Sequence, residues 1–186
     1  MDVEWSFPAP THSRDELLFQ QWISGEYWER HRIAKRHRPE RPSGFEVKTD
    51  GSSLPLHLAR PWRTVRDALA DLPMPSLEAP RIANHRFQPG ARPYPGHTGS
   101  ALDWSAKTLK AGVHGVPGGE NMVVMEDGSV RYFSVREAAR LQTFPDEYVF
   151  PGAWSENMRQ LGNAVPVTLG EAVSRNVKSK LLAAQV

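Results

Sequence analysis

The sequence predicts an α+β fold: an irregular, loop-rich region carrying one small β-hairpin, followed by C-terminal helices. Three observations predict it. Proline and glycine supply 16 and 14 of the 186 residues, above the usual share of about 12%, so much of the chain is turn and loop. One stretch, 122–133, reads as two short strands around Asp127-Gly128. Near the C-terminus a single apolar stripe recurs at helical spacing. With 39% hydrophobic and 24% charged residues, the composition is globular, and the length fits one domain or one domain with a tail.

Residues 1–12 are Pro-rich and extended. Ser13-Arg14-Asp15-Glu16 spells a capping box, in which hydroxyl and carboxylate reciprocally satisfy backbone donors. It opens a helix over about 14–31, with Leu18, Trp22 and Ile23 on one side and a break near Gly25. Pro39, Pro42, Gly44, Gly51 and Pro55 punctuate 36–61, which reads as loop. Thr64 to Asp67 opens a second helix that runs to Leu72, before Pro73. Residues 73–103 are again irregular, and so long a stretch is usually functional or disordered. Asp127-Gly128 supplies the positive φ angles that a hairpin turn requires. Ser134 to Glu137 is a further capping box, opening a helix to about Thr143. Another helix starts near Ser155 with Gly162 as its stop. Pro166 fits the first turn of the last helix, where a missing N–H costs nothing. Leu169, Val173, Val177 and Leu181 give that helix one apolar stripe. There is no internal repeat.

The absence of cysteine excludes disulfides, thiolate zinc sites and cysteine catalysis within this chain. The seven histidines have no metal-ligand spacing, so no metal is expected. No basic-then-apolar leader and no apolar run of membrane length is visible, so a soluble, cytoplasmic protein with no membrane partner is expected. The net charge is only +2. From Trp28 to Arg41, however, six Lys/Arg and two His face two Glu. That stretch reads equally as a phosphate-attracting stripe and as a solvated helix end.

Two dense signatures lie between Arg131 and Pro166. The first is Arg131-Tyr-Phe-Ser-Val-Arg-Glu137-Ala-Ala-Arg140-Leu-Gln142-Thr-Phe144-Pro145. The second is Gln160-Leu-Gly162-Asn163-Ala164-Val165-Pro166. By local chemistry, Glu137 and Arg140 form an ion pair three residues apart on one helix face. The second signature alone reads as a glycine helix stop, a loop Asn and a proline helix start. Together the two resemble the ninth and tenth motifs of the DNA (cytosine-5) methyltransferases. The resemblance starts at Val3-Glu-Trp-Ser-Phe-Pro-Ala-Pro-Thr-His-Ser13 and runs with gaps to the last helix.

In that family a cytosine is flipped from the duplex, a cysteine thiolate attacks C6, and C5 takes a methyl group from S-adenosylmethionine. The cofactor motif, the Pro-Cys motif and the Glu-Asn-Val motif of the family do not occur in this sequence. The resemblance therefore implies the DNA-recognition and cofactor-pocket-closing portion of a methyltransferase of the restriction-modification kind. S-adenosylmethionine would be shared with a separate N-terminal methyltransferase subunit or missing half, and the substrate would be double-stranded DNA. Residues 1–133 would be the target-recognition region, and 134–186 the helices that close the cofactor domain by packing on a Rossmann-like methyltransferase domain absent from this chain. No catalytic residue is expected here. Asn163 would hydrogen-bond the cofactor, with Ala164 and Val165 beside it. Arg131, Glu137, Arg140, Gln142, Gln160 and Gly162 would form the scaffold. Thr108, Leu109, Lys110, Gly112, His114 and Asn121, in a Thr-apolar then Gly-rich stretch like the family's recognition loops, would contact DNA. Alone the chain is expected to be inactive and poorly soluble. The alternatives are a non-catalytic DNA-binding module and a truncated remnant of such an enzyme.

Overall fold

The computed structural model describes residues 6–41, 59–78, 81–111 and 119–183. They form a mixed α and β structure in two compact units, Ala9–Arg63 and Thr64–Val186 with Met1–Pro8. The functional boundary expected at residue 133 lies inside the second unit. Gly112 and His114, and most of the loop expected over 36–61, fall outside the described residues.

In the first unit, strand β1 (His12–Ser13) pairs in parallel with β2 (Arg60–Pro61). The Ser13 hydroxyl accepts from the backbone N–H groups of Asp15 and Glu16. Glu16 turns to the Gln20 amide instead, at 2.8 Å, so only half of the expected capping box forms. The predicted long helix is three pieces: α1 (Arg14–Phe19), a π-helical turn (Gln20–Ser24) and α2 (Glu26–Arg30). Gly25 makes the break in the left-handed region at φ 82°. A π turn adds a residue to the helical repeat and rotates the next turn about the axis. The expected face of Leu18, Trp22 and Ile23 is therefore only partly the buried one, with Trp22 half-buried. Leu17 and Leu18 are buried, while Ile23 is 53% exposed. Tyr27 and Trp28 complete this core edge to face, with centroids 4.9 Å apart, and the Trp28 indole N–H donates to the Gln21 carbonyl.

The second unit begins with α3 (Val65–Leu69), and both arms of its Thr64–Asp67 capping box are made. The helix stops three residues short of Leu72, because Ala70 is extended and Asp71 takes a left-handed φ of 63°. The 73–103 stretch is less featureless than its composition suggests. Isolated bridges join Ser76 to Arg86 and Tyr94 to His97. Strand β3 (Ser100–Ala101) then lies parallel to β4 (Met122–Val124), which pairs antiparallel with β5 (Val130–Tyr132). The expected β4–β5 hairpin forms, but of the Asp127-Gly128 pair only Gly128 takes a positive φ, 80°. The loop spans three residues, 126–128, closed by the Met125 N–H donating to the Ser129 carbonyl at 2.8 Å, and the Asp127 carboxylate accepts from the Ser129 N–H and hydroxyl. Helices α4 (Val135–Leu141), α5 (Trp154–Asn163) and α6 (Val167–Ala183) complete the chain. Val123, Phe133, Ala138, Ala139, Met158 and Leu161 meet in one core with Val65 and Leu109. None of the residues of α6 is buried.

Candidate functional site

The Arg131–Pro145 signature builds a scaffold. Ser134 caps α4 by accepting from the Glu137 N–H at 3.1 Å, and the Glu137 carboxylate returns to the Ser134 N–H at 2.8 Å. The same carboxylate takes a two-pronged bond from the Arg131 guanidinium, 2.7 Å at each oxygen. Both partners are buried, so the pair is fully desolvated and its forked geometry is what makes that burial tolerable. The ion pair expected between Glu137 and Arg140 is not formed. Arg140 instead bridges Asp146 at 2.6 Å and Asp71 at 2.7 Å, and donates to the Ala70 carbonyl. The Arg140 guanidinium holds the Asp146 carboxyl below its ordinary range. Three residues on a helix place two side chains near each other, but here each found a better-oriented partner off the helix.

This scaffold also gathers a strand of chain from far upstream. His85 is buried between the Ser134 hydroxyl (2.8 Å) and the Pro73 carbonyl (2.6 Å). Arg136 is fully buried and donates to the carbonyls of Ala83, Pro145 and Tyr148. Asn84, at φ 65°, exchanges two 2.8 Å bonds with the backbone of Phe150. Sequence reasoning missed all three. Only an Asn-His dipeptide in a loop pointed to the first two of them in sequence, and each has one partner 49 to 66 residues away.

The Gln160–Pro166 turn is held from below. The Gln142 amide donates to the Leu161 carbonyl at 2.9 Å, while the Gln142 carbonyl accepts from the Val167 N–H at 3.0 Å. The Thr143 hydroxyl accepts from the Thr168 N–H at 3.0 Å. Two residues at the end of α4 thus anchor both sides of the turn. Gly162 is not the helix stop expected of it: it lies inside α5, which ends at Asn163. Its role is close approach, because a Cβ there would sit 2.7 Å from the Ala111 nitrogen and 2.8 Å from the Lys110 carbonyl carbon. Gln160 contributes on the outer face, donating to Glu156. Asn163 is exposed and its side chain has no protein partner among the described residues, Ala164 is half-buried, and Val165 is 63% exposed.

Gly162 therefore links this turn to the other candidate segment, 107–121. There the expected DNA-contacting residues separate. Leu109 is buried in the core and Asn121 is fully buried, its amide donating to the Lys110 carbonyl. Both brace the segment and present no side chain outward. Thr108 and Lys110 are exposed. The Lys110 ammonium meets one oxygen of Glu120 at 2.8 Å, and His97 meets the other at 3.3 Å. These bonds, Lys110's first, hold the Glu120 carboxyl down at about 2.

Among the described residues no group of three or more His, Asp or Glu could hold a metal, and no helix is long and apolar enough to cross a membrane. A cleft of about 500 Å³ opens between Arg86–Pro89 and Gly152–Trp154, away from Asn163 and Lys110.

Known proteins match parts of this chain. The type II methyltransferase M.AgeI of Thalassovita gelatinovora is 55% identical over 51 residues, 27% of this chain and 12% of that protein. M.Eco47II of Escherichia coli is 57% identical over 47 residues, 25% of this chain and 11% of that protein. DNA (cytosine-5)-methyltransferase 2 of Arabidopsis thaliana is 38% identical over 80 residues, 43% of this chain and 5% of that protein. The matched stretches thus span no more than 12% of these relatives' own lengths. The family profile of the C-5 cytosine-specific DNA methylases matches residues 21–179, which is most of the chain, and the chain belongs to that family.

Proposed function

We propose that this chain is the DNA-recognition and cofactor-pocket-closing portion of a DNA (cytosine-5) methyltransferase, completed by a separate polypeptide that carries the attacking cysteine. Residues 1–133 serve target recognition, and 134–186 close the cofactor domain. The observation that carries the reading is the contrast at the 163–166 turn. Its backbone is fixed by Gln142 and Thr143, yet the Asn163 amide and the Val165 side chain are left exposed. An amide able to donate and accept, beside an apolar side chain, suits one edge of S-adenosylmethionine. That cofactor supplies the methyl group when bound. In this chain Asn163 would hydrogen-bond it, and Ala164 and Val165 would pack against it. No residue here acts as the nucleophile, since the chain has no cysteine.

On the DNA side, Thr108 and Lys110 are the residues we assign to base edges or phosphates, with Gly112 and His114 from the adjoining stretch. Leu109 and Asn121 set their height from beneath. The remaining support is α6, whose Leu169, Val177 and Leu181 are 52%, 37% and 61% exposed. An apolar stripe open to water on a helix with no buried residue is suited to packing on a partner domain.

The test is methyl transfer from isotopically labelled S-adenosylmethionine to duplex DNA. The chain alone should transfer nothing, and addition of a family N-terminal part bearing the cysteine should restore transfer. Robust transfer by the chain alone ends the proposal.

A further inference from the structure

The basic run of the first unit plays no part in the function proposed above, and its structure separates its cations into two groups. Arg30 lies over the Tyr27 ring at 5.4 Å and donates to Gln20 at 3.1 Å. Arg38 lies over the Trp28 ring at 5.9 Å and donates to the Ile33 carbonyl at 3.1 Å. These two guanidiniums lie over rings of the aromatic core, Arg30 exposed and Arg38 half-buried. Arg32, Lys35 and Arg36 are different: all three are exposed, and among the described residues none is paired with a carboxylate. Arg36 touches only the neighbouring His37 ring, at 3.0 Å. Arg32 holds a left-handed φ of 56°, and Lys35–His37 is a short 3₁₀ turn, so the cations sit on a folded corner rather than on a loose tail.

The charge of the whole unit points the same way. Ala9–Arg63 contains ten Lys/Arg and seven Asp/Glu, a net +3, while the full chain carries +2. The rest of the chain is therefore slightly negative. The positive field reaches β1, where His12 is pushed below its ordinary value by burial first and then by Arg60 and Arg63.

We infer that Arg32, Lys35 and Arg36 form a phosphate-binding corner that holds duplex DNA without reading its sequence. The inference rests on the proposal that this chain meets DNA. It adds a second contact, in a different unit from Thr108 and Lys110, that supplies affinity where those residues supply preference. Cations without protein counterions release salt from the DNA when they bind it, and each neutralised phosphate adds about 0.9 to the slope of log affinity against log salt.

The experiment is fluorescence anisotropy of the full chain with two unrelated duplexes of equal length, across about 50 to 200 mM salt. The unaltered chain should bind both. Lys35→Glu with Arg36→Glu should weaken both equally, by tenfold or more at the lowest salt, and lower the slope by about 2. Thr108→Ala should leave the slope unchanged. Circular dichroism and the melting temperature should be unaltered, because both substituted side chains are exposed. An unchanged slope in the charge-reversed chain, or no binding of either duplex by the unaltered chain at the lowest salt, overturns the inference. If the slope falls as stated but Thr108→Ala and Lys110→Ala leave every sequence preference intact, the base-reading proposal fails and the phosphate corner stands.

Discussion

Helices α4 and α6 both carry apolar residues at helical spacing, and they end in opposite situations. Five of the seven residues of α4 are buried, including an arginine and a glutamate. None of the 17 residues of α6 is. By length alone α6, at 17 residues against seven, offers the longer apolar stripe. What separates them is company: α4 has α3, α5 and the 83–85 loop to fill its surroundings, and every polar group it buries is matched. Among the described residues the stripe of α6 buries no side chain, and the helix is held by the anchor at its first turn and by the Asn176 amide, which donates to the Ser6 carbonyl at 2.6 Å. An apolar stripe tells that a face is meant to be covered, not by what.

The comparison can be broken most severely at α4. Glu137→Ala leaves the Arg131 guanidinium buried without its counterion, and stability should fall by about 3–5 kcal/mol, read as an earlier urea midpoint. Replacing both partners by apolar residues of similar size should lose much less, since no charge is then stranded. Equal losses for the single and double changes would mean that the pair acts through packing rather than charge.

Next in size is Gly162→Ala at the end of α5. The added Cβ meets the Ala111 nitrogen at 2.7 Å, so α5 and the 110–111 backbone must part. A loss of about 1–3 kcal/mol is expected, together with a displaced Lys110 amide signal in NMR spectra. An unchanged midpoint would place the close contact outside the native state.

A smaller effect is expected at the root of the recognition segment. Glu120 ordinarily titrates near 4.5 and is held at about 2 in the folded chain. A lowered folded value favours the native state above pH 4.5, and that contribution is lost as pH falls from there toward 2. The unaltered chain should therefore lose stability faster than Glu120→Gln over that window. Parallel pH profiles would show that the Lys110–Glu120–His97 cluster contributes nothing.

The smallest effect belongs to α6. Leu169→Gln and Leu181→Gln should change the stability of the chain by no more than about 0.5 kcal/mol, while sharply weakening its association with an N-terminal methyltransferase part in analytical ultracentrifugation. A large loss of stability in the chain alone would mean that the stripe is already covered.

What the sequence made legible was local. The capping boxes at Thr64 and Ser134 are decided by residues three apart, and both close. The Asp127-Gly128 segment does turn the chain, but with Gly128 alone at positive φ. Ser13 shows the weakness of the same logic, since Glu16 had a competing partner one turn on, in Gln20. The ion pair read between Glu137 and Arg140 is replaced by Glu137 with Arg131 and by Arg140 with Asp146 and Asp71, because spacing along a helix carries no information about Asp71 or Asp146. Asn84, His85 and Arg136 were invisible for the same reason: their partners are set by tertiary structure. Of the residues expected to contact DNA, Leu109 and Asn121 took their places in the interior. The motif that marked them cannot separate a residue that touches a ligand from one that holds its neighbour in place.

The threonine and glutamine that tether the start of α6 have one more consequence. A rod fixed at its root, and touched mid-length only lightly among the described residues, couples whatever grips the shaft to the turn at the root. A macromolecule that binds this helix only in its folded form would raise the melting temperature of the whole second unit in proportion to the logarithm of its concentration. The same grip would restrain the Asn163 backbone through Gln142 and Thr143. Assembly and order at the turn we propose for the methyl donor would then rise and fall together.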